Sequence, residues 1–293
     1  MTVRTHIRSL LIFLFVSAAG STKLLAQCPP NIDFEEGTFN NWQCWSQGNY
    51  LGGTPAPVLT APTPGRHDML SAIPGNGNDF YGGFPQNCPN GSGHSIRIGQ
   101  GTTGQFVDRV SYTFTIPAGE NTYNFIYHYA LVLNQGATNS HNQFTQPKFM
   151  VKAYNLTDGG IPLPCPFDDI VVTSQLPGFQ VSPTPHNGPV FYKPWAAASI
   201  KMDGLAGKTI EISFTVTGCG LQTGSHFGYA YIDISSECSS SFIGATYCPD
   251  DAFINVTGPF GYQTYQWWDQ NFTAVIGNTQ TINFTPPPAP GTI

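Results

Sequence analysis

The chain has 293 residues, a net charge of -6, and only 10% charged residues against 13% aromatic, 32 Gly and 25 Pro. That balance excludes an electrostatic grip on nucleic acid and describes an extracellular β protein with long loops. The 7 Cys all follow residue 27 and none forms a Cys-x-x-Cys pair. The pattern therefore predicts disulfides in an oxidising compartment and excludes a zinc ribbon or a thioredoxin-like motif.

Residues 1–26 read as a secretory signal peptide. Arg4 and Arg8 form a positive start, Leu10 to Ala19 is a short apolar run, and Leu24-Leu25-Ala26 offers a small residue at the cut. A lipid anchor needs a small residue before the cysteine, whereas Gln27 precedes Cys28. No later run is apolar for long enough to cross a bilayer, so the mature chain is expected to be exported, secreted or held at a surface by something outside this sequence.

From residue 27 to about 240 the chain reads as one all-β domain. Runs rich in β-branched and aromatic residues recur between Gly, Pro and Asn. They are QFVDRVSYTFTIP, NTYNFIYHYALVL, PKFMVKAYN, DIVVTS, WAAASIKMDG, KTIEISFTVTG and FGYAYIDIS. In KTIEISFTVTG, Ile210, Ile212, Phe214 and Val216 alternate with polar residues, which predicts one buried and one wetter face. Several such strands predict a two-sheet sandwich. The stretch from about Tyr50 to Gly93 has few strand-forming runs and reads as a long functional or cross-linked loop, Cys88 favouring the cross-link. After SSECSSSFIGATYCPDD the composition changes. Residues 241–293, with the aromatic-rich YQTYQWWDQN, read as an incomplete Ig-like or PKD-like domain.

Catalytic patterns are weak. Gly-x-Ser-x-Gly is absent, and the histidines lack metalloprotease spacing. His226 and Asp233, seven residues apart on one strand, would stand ~23 Å apart and cannot pair. The chain is expected not to be an enzyme. Aromatic residues near the first loops are the better functional candidates, because sugar rings stack on Trp and Tyr faces. Trp45, Tyr50 and Tyr81 are the stacking candidates, while Trp42 and Trp195 are expected in the core.

The opening CPPNIDFEEGTFNNWQ places Asn31, Phe34, Glu35, Gly37 and Trp42 in an order that resembles the entry strand of galactose-binding-like jelly-roll domains, which include many carbohydrate-binding modules. In that superfamily the last strand commonly carries an aspartate after an aromatic–Ile pair, matched here by Tyr231-Ile232-Asp233. The resemblance implies a structural Ca²⁺ between the first and last strands, with Glu35 and Asp233 as ligands. An antiparallel pairing of those strands that sets Asp33 opposite Asp233 also sets Cys28 opposite Cys238. Carboxylates gathered there would repel unless a hard cation or protons compensated. Six cysteines up to residue 238 allow fifteen connectivities. The register favours Cys28–Cys238, Cys44–Cys88 would pin the long loop, and Cys165–Cys219 would remain.

A longer resemblance runs through TPGRHDML, GSGHSIRIG, YHYALVL, QPKFMVKAYN, YKPWAAASIKMDGLAGKTIEISFTVTGCG and GSHFGYAYID. In this order they resemble the N-terminal domain of large surface proteins of gliding bacteria exported by type IX secretion. Such proteins continue into Ig-like repeats and a sorting domain, so downstream domains of a longer polypeptide are implied. The expected function is a non-enzymatic adhesin-type module that contacts a glycan or another cell-surface component. A carbohydrate-binding module of an extracellular hydrolase and a purely structural spacer are the other two readings.

Overall fold

The computed structural model describes residues 29–72, 77–121, 123–135, 142, 144–163, 170–171, 178–221, 226–234, 253–257, 264–269, 271, 273–279 and 281–286. Thirteen strands build the main body: β1 (Trp42–Gly48), β2 (Val58–Thr60), β3 (His67–Ser71), β4 (His94–Gln100), β5 (Phe106–Thr115), β6 (Asn124–Asn134), β7 (Lys148–Asn155), β8 (Ile161–Pro162), β9 (Ile170–Val171), β10 (Gln180–Val181), β11 (Val190–Lys201), β12 (Thr209–Thr217) and β13 (Gly228–Ile234). Among the described residues there is no helix.

The first sheet runs β2-β1-β5-β12-β7-β8, with β9 also on β7. The second runs β10-β11-β6-β13-β4-β3. From β4 to β7 and again from β11 to β13 the chain changes sheet at every strand. The result is an all-β, jelly-roll sandwich, as the sequence predicts.

Period-two alternation sorts the side chains between core and surface. Ile210, Ile212, Phe214 and Val216 of β12 are all fully buried in the interior, and Phe106, Val110, Tyr112 and Phe114 of β5 join them. The second sheet contributes Phe125, Tyr127, Tyr129 and Leu131 of β6 with Ala230, Ile232 and Ile234 of β13. Ring contacts join the layers: Tyr129 stacks on Phe149 at 5.8 Å, and Tyr127 meets Phe214 edge-on at 5.2 Å. Such pairs add about 0.5–1.5 kcal/mol each beyond the area they bury.

The N-terminal segment departs from expectation. Residues 30–38 form turns, not a strand, and β13 pairs with β6 and β4. The register that would set Asp33 opposite Asp233 is therefore not formed. The reason is local. Asn31, Phe34 and Gly37 adopt φ of 53°, 63° and 64°, which a strand cannot contain. Buried Asn31 holds the turns together, donating from Nδ2 to the carbonyls of Thr38 (3.0 Å) and Asn40 (2.8 Å) and accepting the Glu36 N–H (3.1 Å). Phe34 is fully buried and stacks on Trp42 at 4.5 Å, while the indole N–H donates to the Asn31 carbonyl at 3.0 Å. The Asn-x-x-Phe-Glu-x-Gly run is thus a clamp closed by Trp42, which lies in the core as expected.

Residues 253–286 hold β14 (Ile254–Thr257), β15 (Trp267–Trp268), β16 (Val275–Gly277) and β17 (Thr281–Phe284), paired as β14–β17 and β15–β16.

Candidate functional site

The two outer faces of the sandwich differ. The long loop is folded down on the second sheet, so that face is covered. Its anchor is Asp79, which is 4% exposed. One carboxylate oxygen accepts the hydroxyls of Tyr229 (2.7 Å) and Tyr231 (2.9 Å), both on the outer face of β13. The other accepts the N–H groups of Tyr81 (2.9 Å) and Gly82 (2.6 Å). Burial, then the Asp79 charge, pushes both tyrosine hydroxyls well above their ordinary pKa, so they remain donors. Phe84 packs edge-on against Tyr231 at 5.6 Å, and the Trp195 indole donates to the Pro85 carbonyl at 2.7 Å.

The predicted Cys44–Cys88 bridge does not exist. Both are free, buried thiols, Cys44 in the core and Cys88 beside Asp233. Burial raises the Cys44 thiol to about 12 and the Cys88 thiol higher still, so neither is a ready nucleophile. A carboxylate does the pinning expected of a disulfide. Cys219 is buried, whereas Cys28, Cys165 and Cys238 lie outside the described residues.

Among the described residues, the outer face of the first sheet is exposed along part of its length: Gln43, Thr113 and Lys152 are exposed, whereas Val107, Met150, Thr217 and Lys148 are buried. Directly opposed residues of antiparallel strands share a face, so the pairing gives its rows. One row is Leu59, Trp45, Arg109, Thr215 and Met150; the next is Gln43, Ser111, Ser213 and Lys152; a third is Thr113, Glu211 and Tyr154. The central strands β5 and β12 carry short side chains, and Ser111, Ser213 and Thr215 are buried. The flanking strands carry Trp45, Gln43, Met150, Lys152 and Tyr154. Exposed Gln43 and Lys152 flank the buried Ser111 and Ser213, with half-buried Trp45 and Tyr154 beside them, whereas Met150 is buried, so a trough is confined to the part of the face around these residues. Three strand spacings separate β1 from β7, about 14 Å. An open groove of about 570 Å³ adjoins it past Gln43 and Leu59, reaching Phe39 and Pro62.

Two groups in the trough are fixed. The half-buried Trp45 donates its indole N–H to Ser111 Oγ at 3.0 Å, which sets the ring's orientation. Arg109 lies across from it and donates Nε–H to Thr215 Oγ1 at 3.1 Å. Burial lowers the guanidinium's pKa, Glu211 and Tyr154 opposing the shift, yet the group stays charged.

The other predicted residues divide. Tyr50 is not a stacking surface: it is 1% exposed, its hydroxyl donating to the Gly53 carbonyl at 3.0 Å. Tyr81 is half-buried and spent on Phe227 (5.2 Å) and Phe80 (4.9 Å). Only Trp45 stands on the outer face of the first sheet. Arg109, Ser111, Ser213 and Thr215 were signalled by the wetter face of the strand alternation, but nothing in the sequence told which sheet would stay uncovered.

At the corner of the sandwich, Glu35 and Asp233 do approach one turn. Glu35 accepts the Ser92 hydroxyl and the N–H groups of Gly93 (3.0 Å) and His94 (3.1 Å). Asp233 lies on the outer face of β13 beneath that turn, fully buried, with Ser95 Oγ at 3.4 Å from Oδ2. Burial raises its pKa to about 7, against the pull of Ser92, Asn90 and Cys88. Asp33 is not with them; its Oδ1 accepts the Glu35 N–H at 3.3 Å within its own turn. Asp233 Oδ1 is buried without a partner, as is Nδ1 of His128, the residue opposite on β6. That orphaned oxygen fits a cation. Glu35 oxygens already meet three donors, and among the described residues no three His, Cys, Asp or Glu gather as a metal cluster. His226, 5% exposed, precedes β13 and is remote from Asp233 at its far end, so they form no catalytic pair.

No protein-family model and no curated protein matches the chain. Among solved structures it is similar to TmCBM61 in complex with β-1,4-galactotriose, at 14% identity over 71% of this chain and 97% of that one, with a TM-score of 0.33. It is similar to a carbohydrate-binding module, TmCBM27, studied for specific mannan recognition, at 14% identity over 69% and 93%, TM-score 0.30. It is also similar to the enzymatically active domain of tailspike protein 4 of bacteriophage CBA120, at 12% identity over 71% of this chain but 21% of that one, TM-score 0.31.

Proposed function

We propose that the protein is an exported, non-enzymatic adhesin-type module that binds a glycan in the trough of its first sheet, at the head of a longer cell-surface polypeptide. The observation that carries this reading is the trough itself. An oriented indole wall at Trp45 faces a floor of hydroxyls, with polar and charged groups on either side. Sugars present an apolar ring face and a rim of hydroxyls, which such a surface meets with stacking and hydrogen bonds. The second sheet's outer face cannot serve, because the loop anchored by Asp79 fills it.

A structural Ca²⁺ belongs to the same proposal. Asp233 and Glu35 would hold it, and it would supply the positive charge that the buried Asp233 carboxylate lacks. The residues of the trough would act without it.

Affinity electrophoresis of the folded protein through gels containing galactan, mannan, xylan or acidic polysaccharides tests the glycan reading. Retardation by at least one of them is expected, and Trp45→Ala should weaken it about tenfold or more, since stacked aromatics dominate such sites. A folded protein that no polysaccharide retards would sink the reading.

A further inference from the structure

Eight Lys or Arg side chains lie among the described residues. Four are matched by carboxylates: Arg66 with Asp108, Arg97 with Asp68, Lys201 with Asp203 and Lys208 with Asp158, all at 2.6–2.7 Å. Two more, half-buried Arg109 on β5 and exposed Lys152 on β7, lie on the outer face of the first sheet. In a chain of net charge -6 this face therefore carries two cations in neighbouring rows. Glu211 is the single acid in the paired rows of that face.

Arg109 carries the argument furthest. Its guanidinium has five N–H donors. Among the described residues, one meets an acceptor, Thr215 Oγ1, and no carboxylate lies within ion-pair distance. The side chain is half-buried, so water solvates it only in part. A partly desolvated guanidinium with its fork open gains most from a planar anion that takes two parallel N–H bonds, and a carboxylate has that shape. Trp45 stands directly opposite on β1, with a ring to stack a sugar whose carboxylate reaches Arg109. Lys152, exposed on the far wall and one row along, would meet the next charge of a repeating chain.

We propose, on the basis of the glycan reading above, that the trough selects an acidic polysaccharide, one built of uronic acids, with Arg109 as the carboxylate-binding residue and Lys152 as a second cationic contact. The same cationic face would also attract sulfated chains through charge alone, so the test separates the two.

The experiment measures binding of the folded protein to polygalacturonate and alginate, to dextran sulfate, and to neutral galactan and mannan, each at low and high NaCl. Binding to a polyuronate tighter than to the neutral polymers, weakened severalfold by salt, is expected. Arg109→Gln should cost tenfold or more on the polyuronate, Lys152→Gln a few-fold, and Lys201→Ala, on the other sheet, nothing. Circular dichroism and melting confirm that each variant is folded. Three results overturn the inference. The first is binding to neutral polymers only, with Trp45→Ala abolishing it, which leaves the glycan reading intact. The second is polyuronate binding indifferent to Arg109→Gln. The third is dextran sulfate bound as tightly as polyuronate with the same Arg109 dependence, which marks a patch that reads charge and not carboxylate. Binding to none of the polymers sinks both readings together.

Discussion

At the scale of residues, Asp233 ties proton binding to stability. An aspartate titrates near 4 in an unfolded chain, whereas burial raises Asp233 to about 7 in the native protein. The native state therefore binds the proton more tightly. Between about pH 4 and pH 7 the unfolded chain holds fewer protons, and stability falls as the pH rises. Below that window the carboxyl is neutral in both states; above it the full cost of a buried, uncompensated charge remains, at most about 4 kcal/mol. In chelator, Asp233→Asn should be more stable than the natural protein at pH 8, the difference shrinking toward pH 4. Calcium at millimolar concentration should raise the melting temperature of the natural protein at pH 8 and leave Asp233→Asn unmoved. Parallel pH profiles for the two proteins would show that Asp233 is already ionised in the fold, and indifference to calcium would remove the cation. The proximity of Glu35 and Asp233 was legible in the sequence through a motif, but its geometry was not. The motif reads as a strand, and only the left-handed backbone at Asn31 and Phe34 turns it into the clamp that delivers Glu35 to residues 92–94.

At the scale of elements, the seven alternating or apolar runs rich in β-branched and aromatic residues all contain strands, because such runs suit a strand buried on one face, as β12 is in large part, or on both, as β13 is. Of the strands that escaped, His67–Ser71 and Val58–Thr60 lie at sheet edges where burial is partial and the period fades, whereas Trp42–Gly48 and His94–Gln100 are interior strands whose mixed polar and apolar residues hide the period. The loop after β3 escaped for another reason. What fixes it is not a pattern but one acidic side chain meeting two tyrosines 150 and 152 residues away. Asp79→Ala leaves two buried phenol hydroxyls and two loop N–H groups without their acceptor. Each such group costs about 1–3 kcal/mol when it cannot relax to water. The expected result is a loss of about 2–4 kcal/mol, with chymotrypsin cutting at Phe80 and Tyr81 much faster than in the natural protein. Reducing agent should change neither protease sensitivity of this loop nor its anchoring, since Cys88 is a free thiol. Unaltered cleavage in Asp79→Ala would mean that Phe84 and Trp195 hold the loop unaided.

At the scale of the whole molecule, the sandwich closes its own core. Aromatic and aliphatic side chains from both sheets fill the interior, and the strands of residues 253–286 add nothing to either sheet. β14 pairs with β17 and β15 with β16, and neither ribbon pairs with a strand of the main body. Several large side chains of the later segment are exposed, Phe253, Trp268, Val275 and Ile276 each keeping 40% or more of their surface in contact with solvent, whereas Ile282 is buried. A two-stranded ribbon is marginal on its own, whereas the main body has two multistranded layers sealing a core. The stability of the sandwich should therefore be indifferent to the later segment. A chain of residues 27–240 is expected to melt within about 2 °C of the longer one, because a loss of 1 kcal/mol would shift the midpoint of a domain this size by about 2–4 °C. It should also bind the same polysaccharide with the same salt dependence, since every residue of the trough lies before residue 218. A drop of 5 °C or more, or a lost affinity with the fold intact, would show that residues 241–293 are part of the working unit, and would move the search for the ligand site toward the exposed aromatics Phe253 and Trp268.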